Sequence, residues 1–259
     1  MSILDKILAT KRDEVAAAKL AAGRPLAHER VEPCRSLTAA LRRAPGQPVR
    51  VLSEIKRASP SAGAIRPDAD PVAIARAYAD AGAAAISVLT DRTYFDGDLA
   101  FLGPVHAAVA APVLRKDFLI DVFQIAETRR AGADALLLIV AALSTLDLEL
   151  MLRETHQGGL EALVEVHTLA ELDIALSAPR PPQLIGVNHR DLATFAIDMS
   201  LTAQIAKLVP TGTVLVAESG IRTADDVRRL GDAGAHAVLV GEQLMRAPSP
   251  GDALRALLA

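Results

Sequence analysis

Short apolar runs recur along the chain, and one after another they end in a charged or amide side chain. Val51-Leu52-Ser53 leads to Glu54 and Lys56, and Pro112-Val113-Leu114 leads to Arg115 and Lys116. Leu160 to Val164 leads to Glu165, Leu184 to Val187 leads to Asn188 and Arg190, and Val214 to Ala217 leads to Glu218 and Ser219. Helical periodicity fills the gaps: between Pro71 and Gly82 the apolar Ile74, Ala75, Tyr78 and Ala79 share one face. Asp70 before Pro71 suits an N-cap followed by proline at the first helical position. Three times a helix-like stretch closes on Ala-Gly-Ala before an apolar run, at Ala81, Ala131 and Ala233. Glycine there supplies a left-handed cap. The spacings of 50 and 102 residues are near two and four units of about 25, the echo of a repeated βα module.

This alternation predicts an α/β fold, a (βα)8 TIM barrel with an N-terminal helical extension. The strands are expected near 49–54, 84–89, 112–116, 134–140, 160–165, 183–188, 213–218 and 236–240. The Ala-Gly-Ala echo then precedes the second, fourth and eighth. Residues 1–45 form the extension and 46–259 the barrel, together a single domain. Ser2 with Asp5 resembles a capping box, and Ile3, Leu4, Ile7 and Leu8 make an apolar stripe. The stripe alone leaves two placements open: packed on the barrel's exterior or bottom, or closing an active-site end. A parallel barrel gathers the C-terminal ends of its strands at one rim. Five polar strand ends can therefore meet in one pocket.

Composition narrows the function. At 51% hydrophobic and 3% aromatic, aliphatic side chains fill the core. A net charge of −3 gives no basic footprint, so nucleic acid is excluded as the main partner. Cys34 stands alone, which excludes an internal disulfide, fits a reducing compartment and reads as a small buried hydrophobe. The N-terminus lacks the apolar core of a secretory signal. The longest apolar run, the nine residues Ala135 to Leu143, falls well short of the ~20 that span a bilayer. A soluble, cytoplasmic protein without a membrane partner is expected.

Glu54 and Lys56, two apart, leave their strand on the same face and would pair a carboxylate with an ammonium in a partly dry site. Lys116, aimed inward, could act as a general acid, and a cationic neighbour such as Lys56 would lower its pKa toward neutrality. Glu165 follows an apolar run, where a carboxylate needs a partner; a lysine would satisfy it and leave a general base. His167 shows no metal spacing with the other histidines and reads as structural or solvated. Glu218-Ser219-Gly220 ends the seventh strand, and Gly241-Glu242 ends the eighth before a short helix. Backbone N–H groups after those two strands form the usual phosphate site of such barrels.

Together, SEIKRASPSAG, SVLTDRTYFDGD, VLRKDFLID, LVEVH, GVNHRDL, AESGI and VLVGEQLMR resemble indole-3-glycerol phosphate synthase of tryptophan biosynthesis. The likeness covers almost the whole chain, including the N-terminal ILDKILATKRDEV. It implies ring closure of carboxyphenylamino-deoxyribulose phosphate to indole-3-glycerol phosphate with release of carbon dioxide and water, on a phosphorylated small-molecule substrate and with no cofactor or metal. By this likeness Lys116 protonates the ketone oxygen as the ring closes, and Glu165 is the acid/base partner in dehydration. Glu54, Lys56, Asn188 and Ser219 match the remaining polar positions, with Lys56 near the substrate anions or acting as the second acid. Arg190 matches an arginine near the anthranilate carboxylate, and Phe95, Phe118 and Leu192 match positions holding the aromatic ring. Ser59, with Pro60 beside it, Glu218, Gly220, Gly241 and Glu242 complete the substrate-binding set. The likeness also places the N-terminal helix over the barrel mouth; a monomer is expected. Two departures stand out: Asp98 and Gln243 replace common serines, and Asp98 would add negative charge near the rim.

A sister barrel, the isomerase acting on phosphoribosylanthranilate, would need a cysteine base at the first strand end. Here that end carries Glu54 and Lys56, and Cys34 lies upstream. A non-catalytic scaffold would be expected to lose charged core residues that are expensive to keep.

Overall fold

The computed structural model of the chain describes residues 2–23, 33–191, 194 and 196–259. Eight parallel strands close into a barrel: β1 Arg50–Ile55, β2 Ala85–Leu89, β3 Val113–Lys116, β4 Ala135–Ile139, β5 Glu161–Val166, β6 Leu184–Asn188, β7 Val214–Glu218 and β8 Ala237–Val240. The ring closes where Arg50 to Ser53 of β1 lie opposite Ala237 to Val240 of β8. All eight expected strands are present, and each begins one residue later than the sequence pattern suggests. The residue before a strand is often already bonded to its neighbour, as Ala84 N–H is to Val51 O (2.9 Å) and His236 N–H to Leu215 O (2.9 Å). Entry into the ladder is gradual, so the apolar pattern starts before the ladder does.

The helices are α1 Ile3–Ala22, α2 Leu37–Leu41, α3 Pro71–Asp80, α4 Arg92–Phe95, α5 Leu102–Ala108, α6 Val122–Ala131, α7 Thr145–Gln157, α8 Leu169–Leu176, α9 Leu201–Ile205, α10 Ala224–Asp232, α11 Glu242–Arg246 and α12 Pro250–Leu258. Polar side chains start them as expected: Asp70 caps α3 through the Val72 N–H (2.9 Å), and Ser2 with Asp5 forms a reciprocal box at α1. Gly82, Gly132 and Gly234, the centres of the Ala-Gly-Ala echo, all have left-handed backbones, with φ of 97°, 97° and 106°. No helix among the described residues is long and apolar enough to cross a membrane.

Period two along each strand explains how the barrel makes a site. One alternate set of side chains, including Leu52, Leu114, Leu137, Leu163, Val216 and Leu239, packs into the barrel interior. Stepping two residues onward from these reaches Glu54, Lys116, Ile139, Glu165, Glu218 and Gly241. The same face that fills the lower barrel thus becomes the wall of a pocket at the C-terminal rim. The other set, such as Val51, Val88, Val164 and Val187, packs against the surrounding helices.

The extension serves both ends. Leu37 and Leu41 of α2, fully buried, join the strand starts Ala85, Ala135, Leu184, Val214 and Ala237 and plug the bottom. At the top, Ile3, Leu4 and Ile7 of α1 line the rim pocket. Of the two placements left open for the stripe helix, it takes the one at the active-site end, and the bottom is filled by the separate helix α2. Cys34 corrects an expectation: it is half-buried rather than buried, and its thiol contacts the Ala133 carbonyl and the Arg129 guanidinium.

Candidate active site

A pocket of about 470 Å³ opens at the C-terminal rim, within the range that holds small-molecule ligands. Every candidate site residue lines it except Leu192, which lies outside the described residues. At its floor Lys116 Nζ sits 3.2 Å from Glu165 Oε2 and 3.7 Å from Glu218 Oε2. Across from them Lys56 Nζ pairs with Glu54 Oε2 at 2.8 Å. Asn188 donates from Nδ2 to Glu165 Oε1 (3.1 Å) and accepts the Ser219 hydroxyl on Oδ1 (2.8 Å). A line of hydrogen bonds therefore runs from the end of β7 through β6 to the carboxylate of β5.

The electrostatics differ from the sequence-based expectation at Lys116. Burial opposes its charge, but Glu165, Glu218 and Glu54 outweigh burial and hold the ammonium well above the usual lysine range. Lys56 does not depress it, because the cation of Lys56 is already matched by Glu54. Lys116 is thus a fully charged acid awaiting a strong base. Glu165 is also buried, yet Lys116, His167 and Asn188 keep it ionised and well below the ordinary carboxylate value. Glu218 is pushed the other way, to about 8, by burial and by repulsion from Glu165, with Lys116 only partly offsetting them. Two neighbouring carboxyls with pKa values driven apart are a common arrangement for proton transfer.

The ends of the pocket differ in character. Phe95 and Phe118 pack with ring centroids 6.0 Å apart, an apolar wall suited to an aromatic ring. Arg190 lies beside Asn188, its backbone N–H bonded to Asn188 Oδ1 at 3.1 Å. On the other side Gly220 and Gly241 line the same pocket, together with Ser59, Pro60 and Glu242. Ser219 and Gly220 are successive left-handed residues, with φ of 70° and 83°. Such a backbone is costly for serine, and His189 holds it by hydrogen bonding the Ser219 carbonyl through Nδ1 (3.0 Å). Its Nε2 meets the Thr202 hydroxyl at 2.7 Å, so the ring is anchored at both nitrogens.

Glycine at two positions makes room for carboxylates. A Cβ at Gly186 would run into the Glu218 carboxylate, and one at Gly241 would lie 3.0 Å from Glu54 Cβ and closer still to its carboxylate oxygen. A side chain at Gly241 would therefore meet Glu54 before any anion held at the glycine turns.

Several contributors were not read from the sequence. Arg222 and Arg246 line the glycine side of the pocket, and spacing gave no sign of them. Lys11 of α1 is buried, with Nζ 3.0 Å from Asp91 and 2.9 Å from Asp117, at the loops after β2 and β3. His167, read as structural or solvated, is neither a bystander nor free: its ring contacts Glu165. Asp98 brings no loose charge to the rim. It pairs with Arg92 at 2.7 Å and caps the turn at Leu99–Phe101.

The sequence matches the family described as Indole-3-glycerol phosphate synthase over residues 4–257. The chain belongs to this family. Proteins named indole-3-glycerol phosphate synthase resemble it closely along their whole length. That of Dechloromonas aromatica is 46% identical over 99% of both chains, and that of Halalkalibacterium halodurans 49% over 98% of this chain and 96% of its own. Among solved structures, a thiamine phosphate pyrophosphorylase from Pyrococcus furiosus superposes with a TM-score of 0.62 at 16% identity, covering 86% of this chain and 96% of that one. A mandelate oxidase reaches 0.63 at 17% identity, covering 87% and 83%. At those identities the likeness is one of barrel architecture.

Proposed function

We propose that the rim pocket converts 1-(2-carboxyphenylamino)-1-deoxyribulose 5-phosphate to indole-3-glycerol phosphate, the lyase reaction of the synthase family in tryptophan biosynthesis. The observation that carries this reading is Lys116. It is an ammonium with two carboxyl neighbours, at the floor of a pocket with an aromatic wall on one side and glycine turns on the other.

The substrate's ring lies against Phe95 and Phe118, its carboxylate toward Arg190 and its phosphate toward Gly220, Gly241, Ser59 and Glu242. Anchoring both anionic ends brings the ring carbon that bears the carboxylate up to the ketone. As the carbon–carbon bond forms, Lys116 gives its proton to the ketone oxygen, which becomes a hydroxyl. Loss of carbon dioxide returns the bonding pair to the ring. The new hydroxyl then leaves as water, protonated by a lysine, while a carboxylate takes the proton lost from the adjacent atoms. Carbon dioxide and one water leave, and one proton taken up from solvent restores the two lysines and the carboxylate to their starting states.

Proton transfers at Lys116 and Glu165 are linked by charge. While Lys116 is protonated it holds Glu165 ionised. Once Lys116 has donated, that stabilisation is gone and Glu165 becomes the stronger base. The same transfer thus prepares the acceptor for dehydration. Glu54 tethers Lys56 at the other wall, where the ammonium serves as second acid or as a counter-charge to the substrate's anions. Asn188 and Ser219 keep Glu165 aimed, and Glu218 contacts Lys116 as a substrate-side carboxyl.

The reading is of a monomer acting as a single domain, with α1 at the rim and α2 at the bottom of the 46–259 barrel. The chemistry asks for no cofactor, and a cytoplasmic location suits a biosynthetic enzyme. The test is direct. Purified protein given the synthetic substrate should develop indole fluorescence with stoichiometric release of carbon dioxide; absence of both would overturn the reading.

A further inference from the structure

His167 stands two residues beyond Glu165, just past the end of β5, and its imidazole is held between two carboxylates. Nδ1 lies 3.2 Å from Glu171 Oε2, in the first turn of α8, and Nε2 lies 3.2 Å from Glu165 Oε1. The side chain is 6% exposed, so water does little to screen either contact. A neutral imidazole carries one N–H and one lone pair. Set between two carboxylates, it would turn that lone pair toward an anion at one end. Nδ1 hydrogen-bonds Glu171, while Nε2 faces Glu165 at ion-pair distance outside hydrogen-bond geometry, so it is the charge of the imidazolium that ties the ring to both carboxylates.

We propose that His167 is a positioning residue for the reaction: as an imidazolium bridging Glu165 and Glu171, it fixes the Glu165 carboxylate at the pocket wall and keeps it ionised between turnovers. His167 does not itself line the pocket, so it acts through Glu165. Glu171 is in turn pinned, since Oε2 also accepts the His167 backbone N–H at 2.8 Å and the Glu171 N–H caps onto Thr168. The catalytic carboxylate is thereby tied to the start of α8 outside the barrel. The other charged groups around it are Lys116 of β3 and Glu218 of β7. Burial works against the imidazolium, but Glu165 and Glu171 outweigh it and raise His167 to about 10.

This role rests on Glu165 carrying protons in the reaction, so the test has one arm that does not. Heteronuclear NMR of the ring nitrogens in the wild-type enzyme, assigned by loss of the signal in His167→Gln, reads the charge of His167 directly. An imidazolium at pH 7.5 is expected, and a neutral ring there overturns the proposal. Glu171→Gln keeps an acceptor for the His167 backbone but removes one of the two charges. It should lower the titration of His167 by at least about one pH unit, and the alkaline limb of kcat should move down with it. His167→Gln should lose that limb and lower kcat by roughly tenfold or more, with KM nearly unchanged. A Glu171→Gln profile that stays on the wild-type curve while the ring titration moves would sink the idea. Wild-type turnover in Glu165→Gln would instead remove the reading of Glu165, leaving the NMR arm to decide the charge of His167.

Discussion

Lys116 and Gly241 show how a single residue's role is set by its neighbours. Lys116 keeps its proton until a base stronger than three carboxylates forms beside it, and a ketone oxygen turning into an alkoxide is such a base. Lys116→Ala should therefore lower kcat by at least ~10²-fold, the range of a lost general acid. KM should change much less, because the proton is delivered in the transition state. Steady-state kinetics with near wild-type kcat would take Lys116 out of the mechanism. At Gly241 the expected consequence is broader than a weakened anion site. A valine there would displace the Glu54 side chain and with it the partner of Lys56. Gly241→Val should raise KM and lower kcat together, whereas a change in KM alone would mean that Glu54 can move aside harmlessly.

Among elements, α1 is the one whose seat depends on charge as well as on apolar contact. Lys11 is 4% exposed and faces Asp91, Asp117 and the more open Glu14. Asp117 is the residue after Lys116, and its remaining cationic partner is Arg115 (3.0 Å). Lys11→Met would leave buried Asp91 without its counter-charge and Asp117 with Arg115 alone, a loss of about 3 kcal/mol felt first where α1 meets the rim. Since Ile3, Leu4 and Ile7 line the pocket, KM should rise and limited proteolysis should release the N-terminal segment sooner. Unchanged KM and cleavage rate would show that apolar contact alone seats the helix. The strands and capped helices were legible because their signals are local: a two-residue period, Asp70 before Pro71, glycine after a helix. Likewise Glu54, Lys116, Glu165, Asn188 and Glu218 could be read as polar ends of apolar runs. Lys11 was not legible, since its partners Asp91 and Asp117 are distant in sequence and a lysine on an amphipathic helix ordinarily faces water. The five-residue α2 is too short to show a period, and its Leu37 and Leu41 acquire meaning only when strand starts such as Ala85, Ala135 and Val214 surround them. His167 was set aside because its spacing was tested for metal alone, and its link to Glu171 exists only once α8 begins at Leu169.

For the whole molecule, the buried charges make stability depend on pH in a direction that can be worked out. Glu218 is raised from 4.5 to about 8, and His167 from 6.5 to about 10. Each binds its proton more tightly in the folded chain than in the unfolded one. Stability therefore falls as pH rises between the unfolded and folded values of each group. The two windows overlap from pH 6.5 to 8. Opposing groups have finished titrating by then. Asp117, held down to about 2 by Arg115 and Lys11 against its burial, contributes its stability in full above the ordinary aspartate value. His189 and His236, both lowered chiefly by burial, add stability only as pH rises toward 6.5. The ligand-free protein should thus lose stability on the order of 1 kcal/mol per pH unit across the overlap, seen as a falling Tm in calorimetry. Glu218→Gln cannot ionise and removes the Glu218 part of that slope, so its Tm should decline less steeply than wild type between pH 6.5 and 8. If the two slopes were equal, Glu218 would already be ionised in the folded protein, and the floor of the pocket would hold no protonated carboxyl at neutral pH.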